Sequence, residues 1–116
     1  MQVFPVVTAG DESLQYIFPS KQRAAQAAID LAAKDPLIRR LCVFGSAVTM
    51  DCGMTSDLDL AIDAPSVSEE GFLKLCRPFF REIESEVDVV HYNRIRNASL
   101  KKEIDEKGVC IYVKRQ

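Results

Sequence analysis

The chain holds a single histidine and no two cysteines at CxxC spacing, so a His/Cys zinc site or a CxxC redox centre has no ligand set to draw on. Its 15 lysines and arginines are outnumbered by 17 aspartates and glutamates, for a net charge of -2. Without a basic excess there is no electrostatic footprint for wrapping nucleic acid, and none is expected as a partner. No stretch approaches the run of about 18 apolar residues that a bilayer span needs. The opening MQVFPVVTAGDESL carries no basic segment ahead of a long apolar run, so neither a membrane contact nor a secretory leader is expected. Together these absences point to a cytoplasmic protein.

What is present suits one core. Hydrophobic residues make up 47% of 116, which fits a single domain over 1–116, with 1–18 its poorly defined part. Within 1–18, QVFPVV reads as a short strand interrupted by Pro5, followed by the polar turn AGDES. Cys42, Cys76 and Cys110 lie in apolar runs and read as small buried hydrophobes, whereas Cys52 sits in the polar loop MDCGMTS.

Hydrophobic spacing divides the rest into helices and strands. Ser20 reads as the N-cap of KQRAAQAAIDLAAK, whose Ala24, Ala27, Ala28, Leu31 and Ala32 recur at helical spacing until Pro36 stops it. An alanine face of this kind permits close approach to a sheet. LIRRLCVFG and DLDLAID read as strands. Ser66 with Glu69 predicts a capping box ahead of a helix carrying Phe72, Leu75, Cys76, Phe79 and Ile83, which Pro78 should kink or split. EVDVVHY is a third strand. Asn97 caps a short helix over SLKKEIDEK that ends at Gly108, with Lys101 and Asp105 spaced as an i,i+4 pair, and GVCIYV is a fourth strand. The sum is an α+β domain with a mixed sheet of about four strands flanked by helices.

One stretch resists a purely structural reading. In FGSAVTMDCGMTSDLDLAID, Asp57 and Asp59 lie two apart in an apolar strand, so they share a face roughly 6 to 7 Å apart at their Cα atoms. Each raises the other's pKa unless a cation stands between them. Either they face water or they hold a metal, and carboxylate oxygens are the hard ligands Mg²⁺ prefers. Upstream, Gly45 lets backbone approach a ligand closely and Ser46 offers a hydroxyl where the AVTM turn begins a helix, a setting that suits a phosphate. His91 falls on the strand face opposite Asp88 and reads as a packing residue. Asp63 shares the parity of Asp59 but lies further along, and reads as a turn residue before Pro65.

Gly45-Ser46, the intervening loop and Ser56-Asp57-Leu58-Asp59-Leu60 resemble the GS...DxD signature of the DNA polymerase β-like nucleotidyltransferases, in particular the minimal nucleotidyltransferase (MNT) domains. The resemblance continues through Val87-Asp88-Val89-Val90 and LKKEIDEKGVCIYV, covering Ala24 to Val113. It implies a nucleotidyltransferase fold and a two-metal transfer of a nucleoside monophosphate, AMP from ATP, to an acceptor hydroxyl. Asp57, Asp59 and Asp88 would be the catalytic and metal-binding residues for Mg²⁺ or Mn²⁺, and Gly45 and Ser46 would hold the triphosphate. Relatives carry arginines and a second glycine in the GS loop, where this chain has Ala47, Thr49 and Met50. A chain this short has no evident acceptor-binding domain, which suggests that a protein partner supplies the hydroxyl. The alternative is an antitoxin-like subunit that binds a helical HEPN-type partner and keeps only a vestigial nucleotide site. Either reading leaves room for a homo-oligomer.

Overall fold

A computed structural model describes residues 12–48 and 57–115. The strand expected in QVFPVV, together with Thr49, Met50, Cys52 and Ser56, lies outside the described residues. The elements run α1 (Gln22–Lys34), β1 (Arg40–Phe44), β2 (Leu58–Asp63), α2 (Glu69–Glu82), β3 (Val87–His91), α3 (Ala98–Lys107) and β4 (Val109–Val113), with short 3-10 turns between. The four strands form one mixed sheet in the order β3-β2-β1-β4. β1 is antiparallel to both β2 and β4, while β2 and β3 are parallel. A parallel pair cannot be joined by a tight turn, and here the crossover that joins it is α2.

Alternation along the strands sorts side chains onto two faces. Leu41, Val43, Leu58, Leu60, Ile62, Val109 and Ile111 face α1 and α2 and form the larger core with Ala25, Ala28, Ala32 and Phe79. The alanines let α1 lie close to the sheet. On the other face Cys42, Phe44 and Ala61 pack beneath Ile104 of α3. The segment before α1 joins the larger core as well: Leu14 and Ile17 are fully buried, although their spacing in the polar stretch DESLQYIF gives no periodic signal.

Several local expectations shift by a few residues. Ser20 lies in a 3-10 turn, Pro19–Lys21, and α1 starts from Lys21 without a side-chain cap. Lys21 is itself buried and donates to Ser85 Oγ at 3.1 Å. On α1, Ala25 is buried where Ala27 was expected, with Ala27 only packed against the core's margin. The cap of α2 is Ser68, whose hydroxyl accepts from the Gly71 amide at 3.1 Å, so the Ser66–Glu69 box does not form. Glu69 and Glu70 still occupy the first turn of α2, where negative charge complements the helix dipole. Pro78 neither splits nor ends α2, which continues to Glu82. The expected apolar face of α2 is buried throughout. Asn97 caps α3 as expected, accepting from the Leu100 amide at 3.1 Å.

Two surface readings change. Cys110 is exposed rather than buried, because it alternates with Val109 and Ile111 and so points away from the larger core. Lys101 and Asp105 both engage Tyr92: the Lys101 ammonium lies 5.5 Å from the ring centroid, and Asp105 accepts from the phenol at 2.7 Å. His91 is a packing residue, stacked on Phe72 at 4.1 Å between centroids, with Nε2 2.9 Å from the Ala64 carbonyl.

Candidate active site

The register of the sheet gathers the expected residues at one end. Phe44, the last residue of β1, is paired with Asp59, and Asp59 is paired with Asp88 on β3. Directly opposed residues share a face, so the two carboxylates stand side by side. Asp57, just before β2, has the parity of Asp59 and joins that face, exposed like Asp88. Asp59 is half-buried between them.

Immediately after Phe44 the backbone turns at Gly45 with φ of 74°, a left-handed conformation that side chains disfavour. A Cβ placed there would run into Asp59 Oδ2. Glycine is therefore needed twice over, for the turn and for the approach of backbone to carboxylate. Gly45–Val48 forms a 3-10 turn, too short to act as a helix terminus, and the rest of the AVTM stretch lies outside the described residues. Its Ala47 is fully buried, and the Ala47 carbonyl accepts from the Phe18 amide at 2.7 Å. Ser46 is half-buried beside Gly45 on this anchored turn.

The electrostatics follow from that crowding. Burial, then the charges of Asp88, Asp57 and Glu103, push the Asp59 carboxyl up to about 6. Glu103 of α3 is a contributor that sequence reasoning missed, since it belongs to the charged run KKEIDEK. Only the packing of Ile104 onto the Asp59 face of the sheet brings it near. Among the described residues no three His, Cys, Asp or Glu side chains close into a ready metal cage. The donor set fits Mg²⁺ nonetheless, because that ion is commonly held by one or two carboxylates with substrate phosphates and water completing its shell. The raised Asp59 carboxyl is an anionic site that a divalent cation would relieve.

At the opposite end of the same face, Asp63 is buried. It accepts from Asn93 Nδ2 at 2.8 Å and pairs with Arg39 Nε at 3.6 Å and Arg40 Nε at 3.4 Å. Asn93 Oδ1 in turn accepts from the Ala64 amide at 2.8 Å. Asp63 is thus a structural anchor instead of the turn residue its sequence position suggested. Arg39 and Arg40 are both engaged by Asp63, at the end of β2 away from Asp59.

A mixed four-stranded sheet with a parallel pair joined by a crossover helix, flanked by helices and led by a glycine turn into a carboxylate-bearing strand, is the fold of the nucleotidyltransferases. The family profile "Polymerase beta, Nucleotidyltransferase" matches residues 26–116. The chain belongs to that family. Among curated proteins no relative matches by sequence. Solved structures with the same fold include the toxin-antitoxin MntA-HepT, at 19% identity and a TM-score of 0.59 over 80% of this chain and 73% of that one. A toxin-antitoxin with AMP-PNP has 20% identity and a TM-score of 0.64, over 78% of this chain and 74% of the other. A tri-AMPylated HEPN toxin from Shewanella oneidensis in complex with MNT antitoxin has 18% identity and a TM-score of 0.58, over 82% and 73%. At these identities the likeness establishes the fold. Among the described residues no helix is long and apolar enough to cross a membrane.

Proposed function

We propose that this chain transfers AMP from ATP to a hydroxyl on a helical HEPN-type protein partner, using Asp57, Asp59 and Asp88. The observation that carries the reading is the pairing of Asp59 with Asp88 beside the Gly45 turn. Support for the partner comes from the structural relatives, one of which is a complex with a tri-AMPylated HEPN toxin. Asp57 and Asp59 would hold Mg²⁺ or Mn²⁺, which when bound supplies charge neutralisation at the triphosphate. Gly45 would allow the backbone to close on the phosphates, and Ser46 would donate to one of them. Asp88, exposed and opposite Asp59, would orient the attacking hydroxyl. The hydroxyl oxygen bonds to the α-phosphorus as its proton passes to the Asp88 carboxylate, the bond to the bridging oxygen breaks, and pyrophosphate leaves. The protein's task in such a transfer is alignment and neutralisation of charge. Leu73 and Phe80, exposed on the outward side of α2, are apolar enough to be the docking surface for the partner.

The direct test is incubation of the chain with α-labelled ATP, a divalent cation and a HEPN-type partner from the same host, followed by mass spectrometry. AMP on a Tyr, Ser or Thr of the partner is the expected result. A partner that binds but stays unmodified, and is still neutralised by an Asp57→Asn chain, would establish the binding-only antitoxin reading instead.

A second measurement is independent of the acceptor. Millimolar Mg²⁺ is expected to raise the melting temperature of the parent chain, because it binds the native carboxylates and not the unfolded chain. Asp57→Asn should lose most of that rise. An equal metal-induced shift in both chains would remove Asp57 from the site.

A further inference from the structure

Cys42 on β1 and Cys110 on β4 are register partners across an antiparallel pair, immediately beside an irregularity in the pairing at Leu41/Cys42. Directly opposed antiparallel residues have Cα atoms about 4.5 to 5.5 Å apart. That spacing falls inside the roughly 4.4 to 6.8 Å that a disulfide bridges. Cys42 packs with Phe44, Ala61 and Ile104, so both thiols stand on the face that α3 covers. Their environments differ: Cys42 is buried and Cys110 is exposed.

We propose that Cys42 and Cys110 form a modification site, a paired dithiol that small-molecule disulfides such as oxidised glutathione convert into an intrachain cross-strand disulfide. The exposed Cys110 reacts first. Its thiolate attacks one sulfur of the oxidant, forms a mixed disulfide and expels a thiolate that takes up a proton. Cys42 then loses its proton, attacks Cys110 Sγ and expels the second small thiolate, which is protonated in turn. Two protein thiols are oxidised, one disulfide is reduced to two thiols, and the atoms balance. The order agrees with the protonation of the pair, since a hydrogen bond to Cys110 and burial both push the Cys42 thiol up. Cys76 takes no part: burial alone raises its thiol to about 12, and it lies in the larger core. The link would join the edge strand β4 to β1 three residues ahead of the Gly45 turn.

The test treats the full chain with oxidised glutathione and maps its peptides without reduction. The expected product is a monomer lighter by two hydrogens, with Cys42 and Cys110 in one linked peptide. Its melting temperature should lie about 5 to 15 °C above that of the reduced chain and return on reduction. Cys110→Ser, at an exposed position, should keep the reduced chain's melting point and lose the oxidised shift, whereas Cys52→Ser should keep both. A stable glutathione adduct on Cys110 in the parent chain, a link through Cys52, or a link between chains would each overturn the proposal.

Discussion

An Asp59→Asn chain is expected to lose nucleotidyl transfer by about 10² to 10⁴-fold while melting higher than the parent in metal-free buffer near neutral pH. On the proposed reading, the first effect follows from removing a carboxylate that would help hold the charge-neutralising cation, which supplies several kcal/mol to such a reaction. The second follows from the protonation of Asp59. Its folded-state carboxyl titrates near 6, above the usual aspartate value of about 3.9. The native chain thus holds a proton that the unfolded chain has already released, and stability falls as pH rises from about 4 through 6. Because Asp59 is partly solvated, the cost of its charge is about 1 to 2 kcal/mol after screening. Calorimetry from pH 4 to 8 with a chelator present checks the sign. The parent should lose stability relative to Asp59→Asn across that window, with the difference shrinking when Mg²⁺ is added. Parallel profiles would show that neither burial nor the neighbouring carboxylates load Asp59.

Asp63→Ala should be the opposite kind of variant, badly destabilised but chemically competent below its melting point. The substitution strips the acceptor from Asn93 and the counter-charge from Arg39 and Arg40. Breaking a buried pair by removing one partner typically costs about 3 to 5 kcal/mol. Arg39 is largely exposed and can rehydrate, so about 2 to 4 kcal/mol is expected, a fall of roughly 10 to 15 °C in melting temperature. Asp63 lies four residues along β2 from Asp59, roughly 13 Å away, so metal-dependent stabilisation should persist. Circular-dichroism melts with and without Mg²⁺ would check both parts. A fall of less than 3 °C would refute the anchoring role.

The contrast between these two aspartates shows how far the sequence could be read. Alternation placed Asp57, Asp59 and Asp63 on one face, and the parity of Asp88 within EVDVVHY was equally plain, because strand periodicity is a local property. The pairing of Asp59 with Asp88, the closeness of Gly45 to Asp59 and the clustering around Asp63 depend on register between segments far apart in sequence. For Asp63 the partners come from the start of β1 and the turn after β3, which no local pattern connects. The same limit applies to Glu103, which is charged like its neighbours in α3 until the helix is laid across the sheet. The caps lie one residue on at α1, at Lys21 instead of Ser20, and two residues on at α2, at Ser68 instead of Ser66, because backbone geometry and not residue type alone fixes where a helix starts. Cys110 reads as buried from sequence because an apolar run such as VCIYV conceals which alternate positions face solvent at a sheet edge.

The parallel pairing of β2 with β3 bears on how the chain reaches its native state. Asp59 and Asp88 become neighbours only when α2 has packed and β3 has docked, a closure of high sequence separation that two-state folding makes slow. Until then each carboxylate is solvated and neither feels the other. The repulsion is therefore a late event, confined to the final docking of an edge strand. On the proposed reading, a divalent cation that also engages Asp88 would hold the docked edge in place, and release of β3 is the step it would retard.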